Sequence, residues 1–357
     1  MRRKKIDNPF AERLAAFAAK VAEKKLDAAV VFNQANVRSL TGVDCDNACL
    51  LVRPSCEPVF YTDFRYVPAV ERTAPWLKVD DIKKVGGKKP LKLGKAKFAK
   101  VGYESVMTHA KFLTLEKVFP KAKFEDVVPE LTALRSVKTP WEVERLRAAV
   151  RLNDEIWSEA RGKFRAGMTE VEMARIIKHL MIERGEGEAF ETIVCVGRNA
   201  AECHHVPDGT VWNGREPVLV DMGVKLGGYC SDMTRNIVPE RPSRLYKKVY
   251  ALVLEANMRA IAAAKPGMTA GDLDAVARRF LTKSGFGKEF GHSLGHGVGI
   301  EIHEAPWAAK KQKTVLKPGM SVTIEPGIYL PGNLGVRIED LVVITEDGCE
   351  VLSASPK

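Results

Sequence analysis

The tripeptide Gly167-Met168-Thr169 returns as Gly267-Met268-Thr269, an offset of 100 residues. A repeated supersecondary unit of this kind restricts the fold strongly, because each copy must bury its apolar face against a neighbour. Each copy opens a predicted helix. Thr169 stands three residues before Glu172, and Thr269 three before Asp272. That is the spacing of an N-cap whose hydroxyl takes a backbone N–H while the acid reaches back. Both helices should end at glycine, near Gly185 and Gly285. A longer helix precedes each, over 140–161 and 243–264. The first has Thr139 at its N-cap, Pro140 at N1 and Glu142 at N3. A β-hairpin follows each pair after an irregular segment. Residues 140–357 therefore read as two copies of helix–helix–hairpin. The simplest packing puts both hairpins in one sheet with the helices behind it.

Each hairpin carries two acids. In Val218–Val238, a Leu226-Gly227 turn places Asp221 directly opposite Asp232. In Ser321–Thr345, a turn centred on Gly332 places Glu325 opposite Glu339. Arg337, two residues before Glu339, shares its face. Opposed side chains lie roughly 4.5–5.5 Å apart at Cβ, and like charges there destabilise a ladder. One such pair could be solvent-facing and tolerate the repulsion. Two, each symmetric about its own turn, point to a cation between them.

The histidines reinforce this. Of seven, His109 and His179 lie apart, while His204, His205, His292, His296 and His303 fall in the segments between helix and hairpin. Four glycines in 290–304 (FGHSLGHGVGIEIHE) argue against a helix there, so His292 and His296 are not a helical metal pair. Four carboxylates with one imidazole form a hard, oxygen-rich set whose charge two divalent ions would balance. Paired ions sit about 3.5–4 Å apart and activate a shared water. Such donors favour Mn²⁺ and admit Co²⁺, Zn²⁺ or Fe²⁺.

The first 136 residues read differently. A helix over 11–25 is followed by strands at 28–32, 48–52, 58–61 and 99–103, with helical stretches including 111–118. This is a smaller α/β domain without a catalytic cluster; Asp63, Arg65 and Tyr66 read as a turn with a local ion pair. The expected division is 1–136 and 137–357. A net charge of +11 and eight lysines between Lys83 and Lys100 raise the question of an anionic partner. The run has only Phe98 as an aromatic, so it reads as a solvated surface and no nucleic-acid partner is expected. No apolar run approaches the ~18 residues of a membrane span. The basic N-terminus lacks an apolar stretch behind it, so no secretory signal is expected. The seven cysteines lack CxxC spacing and read as reduced thiols of a cytoplasmic protein.

VLVDMG and YCSDMTR, HSLGHGVG with IHE, TIEPGIY and GVRIED together resemble the pita-bread metallopeptidases, which include methionine aminopeptidase, aminopeptidase P, prolidase and the metal-free creatinase. NVRSLTG and YTDFRY resemble the N-terminal domain that prolidase, aminopeptidase P and creatinase share, which makes the Xaa-Pro branch the closer match. The resemblance implies an α+β protein, with a creatinase-like α/β domain before a pita-bread catalytic domain. It implies Asp221, Asp232, His296, Glu325 and Glu339 as ligands of two metal ions, with Glu325 also handling protons. It implies His204 and His303 as contacts to the substrate and its tetrahedral intermediate, and His292 and Arg337 as supporting residues; His205 is given no role. The implied reaction is hydrolysis of Xaa-Pro dipeptides or short peptides by a homodimer, of dipeptidase or aminopeptidase P type. A non-catalytic binding protein on the same fold is the alternative, which the intact ligand set disfavours. Cys203 stands where the family often has proline.

Overall fold

Two short apolar runs begin the architecture. In Ala28–Val31 (β1) and Ala48–Val52 (β2) alternate residues face opposite sides of a sheet. Ala29, Val31, Leu50 and Val52 pack with Leu14 and Phe17. Ala28, Val30, Cys49 and Leu51 pack with Leu115 and Phe119. The computed structural model describes residues 8–86 and 98–357, so the lysine-rich run lies mostly outside the described residues. Contacts divide the chain into Met1–Arg135 and Ser136–Lys357.

In the first unit the elements run α1 (Pro9–Glu23), β1, α2 (Gln34–Thr41), β2, β3 (Val59–Thr62), α3 (Val67–Thr73), β4 (Lys78–Asp81), α4 (Lys83–Gly86), β5 (Lys100–Tyr103), α5 (His109–Val118), β6 (Lys123–Asp126) and α6 (Val128–Ser136). The six strands form a mixed sheet in the order β4-β3-β2-β1-β5-β6. The Asp63 turn is local: its carboxylate takes the Arg65 guanidinium at 2.7 and 2.8 Å.

The second unit is built twice. α7 (Pro140–Lys163) and α8 (Glu170–Arg184) precede β7 (Ile193–Val196) and a short 3₁₀ turn, Gly197–Ala201. A hairpin follows from β8 (Val218–Met222), β9 (Lys225–Leu226), β10 (Tyr229–Cys230) and β11 (Met233–Ile237). Then α9 (Arg244–Ala263) and α10 (Ala270–Lys283) precede β12 (Gly295–Gly297) and β13 (Glu304–Ala308). The second hairpin comprises β14 (Ser321–Ile324), β15 (Gly327–Leu330), β16 (Leu334–Arg337) and β17 (Asp340–Ile344), with β18 (Cys349–Val351) beside it. Capping boxes close on Thr139, Thr169 and Thr269. α7 and α8 bury Ile156, Trp157, Met173 and Ile177 against β7, β8 and β11. α9 and α10 bury Val249, Val253, Leu273 and Leu281 against β14, β16 and β17.

Both hairpins are interrupted at their acids. The first ladder opens between Met222 and Lys225 and between Cys230 and Met233; the second opens at 325–326 and 338–339. A buried asparagine on the long helix serves each gap. Asn153 Nδ2 donates to Met222 O (3.2 Å), and Asn257 Nδ2 to Ile324 O (2.8 Å). A freed carbonyl in the core needs such a partner. The two hairpins then join through Glu339 N–H, which donates to Thr234 O (3.3 Å).

The first hairpin departs from the expected register. Its turn is Gly227-Gly228, with φ of +58° and +73°. Leu226 pairs with Tyr229, so Asp221 faces Thr234 rather than Asp232. A two-residue hairpin turn of this type needs positive φ at both central positions, which two glycines supply and Leu226 would resist. The second hairpin keeps the expected register, from Ser321 opposite Val343 to Leu330 opposite Leu334.

Candidate active site

The opened rungs face a cavity of about 350 Å³ whose wall includes Asp221, Asp232, His296, Glu325 and Glu339. His204, His292, His303 and Arg337 line it as well. All nine residues singled out from the sequence therefore meet in one place, although the first acid pair does so diagonally. His296 is placed by close backbone approach. A Cβ on Gly295 would lie 1.9 Å from Thr323 O, so only glycine lets β12 run this near β14.

His296 Nδ1 can only donate to its partner, the Gly297 carbonyl, at 3.1 Å. That fixes the tautomer and leaves Nε2 facing the acids, 3.3 Å from Glu325 Oε1 and 3.6 Å from Asp232 Oδ2. Asp232, His296 and Glu339 each offer a donor atom within 4.8 Å of the others. Glu339 Oε2 accepts from Thr234 Oγ1 (2.7 Å), and Glu325 Oε1 from Thr323 Oγ1 (3.0 Å).

Arg337 is the organising cation. It donates through Nη2 to Asp221 Oδ2 (2.7 Å), through Nε to Thr234 Oγ1 (3.0 Å) and through Nη1 to the Tyr329 hydroxyl (2.9 Å). The other oxygen of Asp221, Oδ1, is buried without a hydrogen-bond partner among the described residues. His292 Nδ1 donates to Ser293 O (2.7 Å), so its Nε2 must accept from Tyr329, 3.0 Å away. The result is a directed chain, Arg337 to Tyr329 to His292, with a neutral imidazole at its end. Burial, which pulls the His292 pKa down, agrees.

The acids feel each other. Burial and the neighbouring carboxylates push Asp232 and Glu339 well above the usual range. Burial also raises Asp221, against the pull of Arg337. Glu325 goes the other way: burial opposes ionisation, but the adjoining His296 and the charge of Arg337 bring it to about 2. A divalent ion fits this set. It would meet hard oxygen donors, one correctly oriented imidazole and a buried carboxylate oxygen that nothing else satisfies.

Sequence reasoning missed several parts of the wall. Tyr329 reads as a strand aromatic, and Thr234 as an ordinary β-branched residue. Phe190 and Trp307 line the cavity; Trp307 stacks on His303 with centroids 6.3 Å apart and planes at 30°. His205 lies elsewhere, against Glu170 at 2.7 Å.

Known proteins share this architecture. Residues 144–346 match metallopeptidase family M24, and residues 13–137 match the creatinase/prolidase N-terminal domain. The Xaa-Pro dipeptidase of Pyrococcus furiosus is 42% identical over 66% of this chain and 67% of its own length. An uncharacterized peptidase of Bacillus subtilis is 32% identical over 93% of this chain and 95% of its own. Among solved structures, an Xaa-Pro dipeptidase from Bacillus anthracis superposes with a TM-score of 0.91 at 33% identity, covering 98% of both chains. The prolidase from Pyrococcus furiosus superposes with a TM-score of 0.88 at 33% identity, covering 95% of this chain and 100% of that one. The duplicated helix–helix–hairpin unit is the pita-bread fold, and the chain belongs to metallopeptidase family M24, with a creatinase/prolidase-type domain ahead of its peptidase domain.

Proposed function

We propose that the enzyme hydrolyses Xaa-Pro peptide bonds, with two divalent ions held by Asp221, Asp232, His296, Glu325 and Glu339. The observation that carries this reading is the crowding of four carboxylates around His296, Asp232 and Glu339 buried and Asp221 and Glu325 partly so, with one Asp221 oxygen unsatisfied. When bound, the ions supply Lewis acidity toward the scissile carbonyl and make water a nucleophile at neutral pH. The hard donors favour manganese.

The protein's own groups do the rest. Glu325 accepts the proton as water adds to the carbonyl carbon. It then delivers that proton to the proline nitrogen as the C–N bond breaks. His204 and His303 donate to the oxyanion of the tetrahedral intermediate. Arg337 holds Asp221 in place and, through Tyr329, keeps His292 oriented. Phe190 and Trp307 give apolar surface for the pyrrolidine ring. A homodimer in the cytoplasm completes the reading; the cysteines among the described residues are all free thiols, which suits a reducing compartment.

Assay of Ala-Pro beside Ala-Pro-Ala, with Mn²⁺ and with chelator, tests this. Metal-dependent release of free proline from Ala-Pro is expected. Cleavage of the tripeptide alone would replace the dipeptidase reading with an aminopeptidase P type. Full turnover after chelation would overturn the metal mechanism.

A further inference from the structure

His205 has no part in the chemistry above, yet its side chain is only 10% exposed and is bound to a fully buried acid. Glu170, the first residue of α8, gathers four N–H groups. Oε1 accepts from Val196 N (2.6 Å) and Asn199 Nδ2 (2.9 Å). Oε2 accepts from His205 Nε2 (2.7 Å) and Asp208 N (3.1 Å). One carboxylate thus ties down four points of the 196–208 segment. Its place at a helix N-terminus favours the negative charge.

This segment carries His204 into the cavity. Two anchors flank that residue. On one side, Cys203 O accepts from Arg337 Nη1 (3.3 Å). On the other, His205 is fastened to Glu170. A metal ion is the competing explanation for Glu170, His205 and Asp208, whose donor atoms lie within 4.8 Å of one another. The hydrogen bonds argue against it. Both Glu170 oxygens already take two N–H donors each, and exposed Asp208 is engaged by Thr210 N at 2.7 Å.

We propose that His205 is a positioning residue: through Glu170 it fixes the backbone that aims His204 at the substrate carbonyl. This rests on the peptidase reading, in which His204 stabilises the oxyanion. A donor displaced by about 1 Å can cost about 10²-fold in rate.

The test is a double-mutant cycle on the full-length, Mn²⁺-loaded enzyme with Ala-Pro. His205→Ala should lower kcat by about 10²-fold, change KM less, and leave metal content intact. His205→Gln, whose amide can still donate to Glu170, should recover most of the loss. In a His204→Ala background, His205→Ala should cost less than about twofold, because the group it positions is gone. A full further loss in that background, or wild-type kcat in His205→Ala, would overturn the proposal. Wild-type cleavage of Ala-Pro tests the peptidase reading separately. Hydrogen exchange needs no turnover: amides of 203–208 should exchange faster in His205→Ala and return toward wild type in His205→Gln. Unchanged exchange in His205→Ala, or loss of protection equal in both variants, also counts against it.

Discussion

The two hairpins of the peptidase domain solve one problem in different ways. Both open their ladder beside the acids, and both hand a freed carbonyl to an asparagine on the long helix. Each keeps a single register on either side of its gap, and in the second that register puts Glu325 and Glu339 at matching rungs. The first sets Asp221 opposite Thr234 and leaves Asp232 in the gap. Asp221 is accordingly the acid that needs an arginine, and Arg337 comes from the second hairpin to supply it. Strict symmetry of rungs is thus not required. What matters is that three acids occupy opened rungs, where the backbone no longer dictates the side-chain direction.

The largest test of this comparison removes an acid from a gap. Asp232→Ala and Glu339→Ala should each lose metal from the pair and reduce turnover to background, as should His296→Ala. Metal analysis beside kcat checks this; full metal content in either acid variant would make the opened rungs incidental. Next comes the pair of donors on the loops. His204→Ala or His303→Ala should lower kcat by about 10²–10³-fold while keeping close to wild-type metal content. Loss of metal from His303→Ala but not from His296→Ala would reverse the roles of these two rings, which meet edge-on. Arg337→Lys, which cannot reproduce the forked contacts, should weaken metal affinity by about 10–100-fold, measured by titration of chelated protein. A smaller effect on Arg337 than on Thr234→Val would mean that the first hairpin holds Asp221 without help.

Smaller effects probe the turns and the acid–base balance. Gly227→Ala and Gly332→Ala both place a side chain at positive φ, +58° and +71°. Each should cost about 1–2 kcal/mol, read as a lower Tm. The first should also disturb Asp232, and so metal binding; equal metal affinity in both variants would dissociate turn from site. For pH, burial lowers the His205 pKa, but Glu170, Glu202 and Asp208 outweigh it and raise the folded value. Its contribution to stability is therefore complete below the unfolded value of about 6.5 and is lost as pH rises through the folded one. Wild type minus His205→Gln, compared by Tm from pH 5 to 9, should show this; a difference that grows with pH would contradict it.

Much of this was legible in the chain. The repeat and the capping boxes rest on local chemistry, and so does the second register, because Gly332 marks the centre of its turn unambiguously. The first register lies two residues from the expected one because Leu226-Gly227 and Gly227-Gly228 are both plausible from composition, and only backbone dihedrals separate them. Short elements such as α2, α3, β4 and β6 carry too few residues for a period to emerge. Tyr329 and Glu170 escape a reading of the sequence for another reason. Each looks like its local role, strand aromatic and helix-start acid, while its partner lies far along the chain.

The opened rungs also have a consequence for how such an enzyme can diversify. Acids pinned from both sides by strands tolerate little change, whereas Phe190 sits on a loop that reaches the cavity from outside the central ladders. Insertions or replacements there can alter which peptide is admitted without rebuilding what binds the ions. Hydrolytic power and substrate taste are therefore separately heritable in this architecture.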